Sequence, residues 1–310
     1  MKKIFLFSFV ILLFVPTGCQ SKKEIPPEGF IDVPGGKVWY RITGGGNKTP
    51  LLLLHGGPGF PSAYLKPLEV LGKDRQVIFY DQLGCGKSER PDDTTRWITS
   101  RFVDELEIIR KELGLKEIHL FGHSWGTMLA TEYLSRKPEG IRSVILASPA
   151  ITVDRWLADA NRLKEELPAA IRDTLVANER RGTLTSESYL KATQEFYNRH
   201  VCRIPPTPEL TETFNTLGSG SYNTMWGNNE FTCTGNLQGF DRSDVLSQLT
   251  MPVLFTCGEF DEATPVTTQW YASKVKGGEF KMISDASHMT MNEKPDEYAA
   301  ILREFLSNHD

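Results

Sequence analysis

The chain has 310 residues, 40% of them hydrophobic and 24% charged, with a formal net charge of −4. That length allows one or two domains with a sizeable core, and the composition is that of a globular protein rather than a fibrous or disordered one. A mildly acidic balance offers no basic face, which argues against nucleic acid as a partner.

In chain order, Lys2 and Lys3 precede an apolar run from Ile4 to Val15, interrupted only by Ser8 and followed by Pro16-Thr17-Gly18-Cys19. The run is shorter than the ~20 residues a bilayer-spanning helix needs. A basic start, a short apolar run and small residues read as an export signal over residues 1–19, set apart from the fold. Cys19 after a small residue resembles the lipobox of bacterial lipoproteins, with Pro16 where a Leu is usual. That resemblance implies lipidation of Cys19, a polar tether over residues 20–29, and a membrane-anchored protein facing the periplasm or cell exterior. Secretion with a different cut and an uncleaved anchor are the alternatives.

From Phe30 to Thr43 a weak alternation is broken by Pro34-Gly35-Gly36, which predicts two strands and a turn. Pro50–His55 and Gln76–Asp81 are continuous apolar runs, expected as strands buried on both faces of a mostly parallel sheet. Ser100–Leu113 has apolar residues at helical spacing, with Gly114 at the C-terminal stop. Strand Ile118–Phe121, helix Thr127–Arg136 and strand Val144–Ala147 continue the alternation, which predicts right-handed βαβ crossovers. Residues 152–249 lack strand-like runs; strands resume at Pro252–Cys257 and Glu279–Ile283, and a helix covers Pro295–Leu306. The expected fold class is α/β: an α/β-hydrolase-type core over 30–151 and 250–310, with a helical cap inserted at 152–249 over the ligand-binding edge of the sheet.

Gly122-His123-Ser124-Trp125-Gly126 fits the G-x-S-x-G turn between a strand and a helix, where a strained serine is pushed out of the sheet. A serine hydroxyl needs a base, and the base an orienting acid. Asp261 follows the strand Pro252–Cys257 and His288 follows Glu279–Ile283, so both project to the edge that carries Ser124. The assigned roles are Ser124 as nucleophile, His288 as base and Asp261 as orienter; Glu259 and Glu262 are the rival acids. Oxyanion donors are expected from the backbone N–H groups of Trp125 and of Gly57 in His55-Gly56-Gly57-Pro58-Gly59. Cys85 and Cys257 read as buried thiols, while Cys202 and Cys233 are a candidate disulfide in an exported protein. Cysteine spacing matches no metal site, and no cofactor is expected.

The motifs HGGPG (55–59), DQLGCGKS (81–88), GHSWG (122–126), WGNNEF (226–231), GEFDEATP (258–265) and SHMTMNEKP (287–295) together resemble the proline iminopeptidases and tricorn-interacting aminopeptidases. The resemblance spans the chain from about residue 30. It implies release of an N-terminal residue, often proline, from short peptides with a free N-terminus. It also implies two glutamates that hold the substrate ammonium, matching Glu230 and Glu262, and cap aromatics such as Tyr222 and Trp226 around the proline ring. An amidase or esterase of small acyl compounds on the same triad is the alternative function. A catalytically silent binding protein is the reading from another class.

Overall fold

The computed structural model describes residues 25–310. The export signal, Cys19 and residues 20–24 of the tether lie outside the described residues.

Eight strands form one sheet: β1 (Glu28–Val33), β2 (Gly36–Gly44), β3 (Lys48–Leu54), β4 (Arg75–Tyr80), β5 (Ile118–His123), β6 (Ile141–Ala147), β7 (Val253–Gly258) and β8 (Glu279–Ile283). Their spatial order is β1-β2-β4-β3-β5-β6-β7-β8. β2 pairs antiparallel with both β1 and β4, and the remaining pairings, from β4 through β3 to β8, are parallel. β1 starts at Glu28, inside the expected tether. Residues just before it are already docked, since the Ile42 N–H donates to the Pro27 carbonyl at 2.7 Å and the Tyr40 hydroxyl to that of Pro26 at 3.2 Å.

The run of four leucines in β3 shows why the central strands are continuously apolar. Side chains alternate across a strand, so Leu52 and Leu54 join the core on one face of the sheet. Leu51 and Leu53 join the core on the other. Strand order places β5, β6 and β7 side by side. Their C-terminal ends therefore deliver residues 123–124, 148 and 259–262 to one edge.

Helices α1 (Thr99–Glu112) and α2 (Trp125–Ser135) belong to the crossovers. Between β6 and β7, residues 152–249 carry α3 (Val153–Glu165), α4 (Ala169–Arg181), α5 (Glu187–His200), α6 (Pro208–Asn215), α7 (Ser219–Met225) and the short α8 (Ser243–Leu246). A bridge between Thr152 and Asp241 ties the two ends of this insertion together at the edge of the sheet. Beyond it come α9 (Pro265–Lys274), α10 (Thr290–Glu293) and α11 (Pro295–Asn308). No helix among the described residues is long and apolar enough to cross a membrane.

Candidate active site

Ser124 sits between the end of β5 and the first residue of α2, with φ 55° and ψ −123°. Such a conformation costs a non-glycine residue about 1–3 kcal/mol and persists only where the surroundings enforce it. Here the flanking glycines allow it. A Cβ at Gly122 would run into the carbonyl of Gly126, and one at Gly126 into the carbonyl of Leu54. The Ser124 N–H donates to the Ala147 carbonyl at 3.0 Å, locking the turn to the adjacent strand. The start of α2 also puts the positive end of its dipole beneath the serine.

Asp261 is 1% exposed and accepts four hydrogen bonds. Its Oδ1 accepts from His288 Nδ1 and from the Ala263 N–H, both at 2.8 Å. Its Oδ2 accepts from the Ser148 hydroxyl at 2.6 Å and the Gly258 N–H at 3.3 Å. A carboxylate accepting from Nδ1 fixes the imidazole tautomer and leaves Nε2 with its lone pair free. His288 and Ser124 line the same cavity. The edge of Trp156 lies against the His288 ring, with centroids 5.6 Å apart. Of the rival acids, Glu259 accepts from the Asp285 N–H, and Glu262 turns into the cavity.

A second histidine holds the first. His123 donates from Nε2 to the His288 carbonyl at 2.9 Å, so its Nδ1 accepts from the Tyr64 hydroxyl, also at 2.9 Å. The Tyr64 oxygen in turn accepts from the Gly56 N–H at 2.7 Å. Burial, and then the neighbouring His288, push the His123 pKa well below the usual value, which keeps this ring neutral.

That chain decides which glycine N–H is available. Gly56 is already bonded to Tyr64, leaving Gly57, which borders Ser124 with φ 119°. His55 is fully buried and its Nδ1 donates to the Gly56 carbonyl at 2.9 Å, while Nε2 accepts from the Gln82 N–H at 2.9 Å. In a trans peptide the C=O and N–H point opposite ways. Holding the Gly56 carbonyl toward His55 therefore aims the Gly57 N–H away from it. The Trp125 N–H is one of the N-terminal donors that a helix leaves unpaired. Gln82 links the two parts, because its Oε1 accepts from Trp125 Nε1 at 2.9 Å. His55→Leu is expected to lower kcat by about 10²-fold with KM nearly unchanged, as loss of one oxyanion donor does. Steady-state kinetics on one ester and one amide would check it.

Glu230 and Glu262 line the cavity with Ser124 and His288. Glu230 lies between α7 and α8, where the Asn229 side chain organises the turn by accepting from the N–H groups of Phe231 (2.9 Å) and Thr232 (3.2 Å). Its Oε1 accepts from the Tyr222 hydroxyl at 2.6 Å. Glu262 is 2% exposed, and its Oε2 is buried without a hydrogen-bond partner. Burial, then the charges of Glu230 and Asp261, push the Glu262 pKa well above the usual carboxylate range. Burial also raises that of Glu230, against the pull of the Tyr222 hydroxyl. A buried carboxylate beside a half-buried one, with no cation paired to either among the described residues, is a costly arrangement unless something positive joins them.

Tyr222 lines this cavity, whereas Trp226 lines a narrow slot beside Ser124, Trp125, Trp156 and Glu230. The Trp226 indole N–H donates to the Asn229 carbonyl at 2.9 Å, so this ring also braces the Glu230 turn. Cys85, Cys202, Cys233 and Cys257 are all free thiols, so the candidate Cys202–Cys233 disulfide is not formed. Both are occupied locally: Cys202 points its thiol at the Ile204 carbonyl, and Cys233 is buried in the cap core.

Ser148, Tyr64 and Trp156 did not emerge from the sequence as site residues. Ser148 carried a usable signal, since it is the first residue after the strand lying between those that supply Ser124 and Asp261.

Comparison with known proteins agrees with this geometry. Residues 49–295 match the family model of the alpha/beta hydrolase fold. A proline iminopeptidase of Heyndrickxia coagulans is 45% identical over 284 residues, covering 91% of this chain and 99% of that protein. The crystal structure of the Mycobacterium smegmatis proline iminopeptidase superposes with a TM-score of 0.85 at 35% identity, covering 91% of this chain and 98% of that one. The structure of VinJ superposes with a TM-score of 0.88 at 33% identity, covering 92% and 100%. The chain belongs to the α/β-hydrolase fold and, within it, to the proline iminopeptidase family.

Proposed function

We propose that the protein is a serine aminopeptidase that releases the N-terminal residue, proline before others, from short peptides. The observation that carries this reading is the glutamate pair, Glu262 buried and Glu230 half-buried, with no cation paired to either among the described residues, in the cavity that holds Ser124 and His288. An N-terminal ammonium supplies the missing charge, and binding it places the first peptide carbonyl at the serine.

Ser124 then attacks that carbonyl while His288 Nε2 takes its proton, with Asp261 stabilising the imidazolium. The N–H groups of Gly57 and Trp125 receive the developing oxyanion. His288 passes the proton to the leaving amine, and water repeats the sequence to free the acyl group. The end of the large cavity bounded by Tyr222, Glu230 and Glu262 adjoins Ser124, which suits a small apolar ring bearing the bound nitrogen. The relatives' names agree with proline as the released residue.

The test is a panel of Pro, Ala and Leu arylamides with free amines, assayed on protein lacking residues 1–19. Proline is expected to lead. Equal rates for all three would remove the proline preference, and no turnover of any would remove the aminopeptidase reading.

The raised carboxyl pKa values carry a pH consequence. An ammonium binds the pair best when both glutamates are ionised, so acidification through their raised pKa values weakens binding of free-amine substrates. The acid limb of kcat/KM should therefore lie at higher pH for a free-amine amide than for a neutral ester. Coincident limbs would contradict it.

We also propose that the chain is exported and held at a membrane through lipid on Cys19, a reading that rests on the sequence of residues 1–19. Cys19→Ser is expected to move the protein from the membrane to the soluble fraction; unchanged fractionation would contradict it.

A further inference from the structure

The cavity is far larger than the acyl group assigned to it. Its volume is about 550 Å³, within the roughly 300–1,000 Å³ of pockets that hold drug-sized ligands. A prolyl group takes only the end near Glu230 and Glu262. That end is closed, with Glu262 2% exposed, while Phe214 at the other end is 50% exposed. Since the ammonium is fixed at the closed end and the carbonyl at Ser124, the group that leaves must extend along the open end.

The wall there is apolar. Ile204, Pro206, Leu210, Phe214 and Leu217, from α6 and its flanking loops, line it. An aromatic path runs outward from the amine site: Tyr222 to Phe60 at 6.1 Å, then Phe60 to Phe214 at 5.8 Å, both edge-on. Phe60 directly follows the loop carrying Gly57, which ties this path to the position of the scissile bond. Charge is missing from the same wall. No lysine or arginine lines the cavity among the described residues. The nearby Arg203 is engaged elsewhere, stacked on Phe260 and paired with Asp285.

We infer that the site selects its leaving group: a bulky apolar residue after the scissile bond is favoured, and a free carboxylate on that residue is disfavoured. This rests on the aminopeptidase reading above, because the bound ammonium sets the direction of the substrate. An apolar side chain laid on Phe214 and Ile204 removes apolar surface from water on both partners. A carboxylate one residue past the cleavage point loses water and meets no cation.

The experiment compares Pro-Phe-NH2, Pro-Gly-NH2 and the dipeptide Pro-Phe with a free carboxylate. The amide pair is expected to differ by roughly 10- to 100-fold in kcat/KM in favour of phenylalanine, the range for burying one large apolar side chain. The free dipeptide is expected to fall at least several-fold below its amide. Phe214→Ser and, separately, Ile204→Ser should each narrow the Phe/Gly ratio; Phe214 is half exposed, so its loss leaves the core intact. A Phe/Gly ratio near one, or a ratio that neither variant changes, would overturn the inference while prolyl cleavage itself persists. No cleavage of any free-amine prolyl compound, with acetylated ones still hydrolysed, would instead overturn the reading beneath it.

Discussion

Glu262→Gln is expected to cut kcat/KM for a free-amine prolyl amide by about 30- to 5,000-fold, with a much smaller loss on a neutral ester of similar size. The range corresponds to the roughly 2–5 kcal/mol lost when one member of a buried charge pair is removed. Glu262 is buried and its Oε2 has no hydrogen-bond partner, so an ammonium that draws it into the ionised form meets a carboxylate whose charge no protein group shares. Glu230→Gln should act in the same direction. Its Oε1 already accepts from Tyr222, so part of its charge is spread over that bond. Parallel losses on amine and ester in either variant would contradict ammonium recognition.

The same substitution has an opposite effect on the fold. Glu262 holds its proton more tightly in the folded chain than in the unfolded one, since burial and neighbouring charge raise its pKa. The folded state therefore binds more protons, and stability falls as pH rises from the ordinary carboxylate range through the raised value. A neutral glutamine escapes that loss. Glu262→Gln should raise Tm at pH 8 relative to the native protein, and the gain should shrink toward pH 4. A site residue whose removal stabilises the protein is serving binding rather than folding.

Ser124→Ala is expected to lower kcat by about 10⁴- to 10⁶-fold, as removal of a triad nucleophile does, and to abolish labelling by a fluorophosphonate. Alanine retains the Cβ, so the strained backbone at φ 55° is unchanged and Tm should stay close to native. Residual labelling of the variant would place the nucleophile elsewhere. Ser148→Ala removes only one of four bonds to Asp261. It should cost far less, and mainly in kcat, because the His288–Asp261 bond at 2.8 Å remains.

Much of this architecture was legible in the sequence, for identifiable reasons. Strands buried on both faces, such as Leu51–Leu54, read as unbroken apolar runs. The residues at their C-terminal ends then fall on one edge whatever the loop details. Boundaries shifted where local chemistry was subtler. β1 begins at Glu28 because pairing with β2 is set by backbone register, which a weak hydrophobic alternation does not report.

Besides the short turns Thr94–Arg96 and α10, two longer elements escaped. The 3-10 segment Ser62–Lys73 contains Pro67 and lacks a clean helical stripe. In α9 the signal was present but local: Thr264 caps the helix by accepting from the Thr267 N–H, and Pro265 occupies its first turn. The polar threonines that follow hide its buried face from a periodicity argument.

At the site, motif residues were visible because the chemistry demands particular side chains at particular strand ends. The supporting network was not. Tyr64, His123 and His288 meet across 59 and 165 residues of sequence separation, and only the folded chain shows that Tyr64 leaves Gly57 rather than Gly56 as the free donor. Trp226 was expected beside a proline ring, and its additional task, bracing the Glu230 turn through Asn229, depends on a bond that spacing does not reveal.

If Glu230 and Glu262 read a free N-terminal ammonium, they direct Ser124 to the first peptide bond. The most direct measurement is kcat/KM for one prolyl arylamide, with its nitrogen free and with it acetylated, by the native protein. Strong preference for the free amine, by about 10²-fold or more on the scale of a buried charge pair, is the expected result. Equal hydrolysis of the two would leave the triad in place and contradict the role given to Glu230 and Glu262.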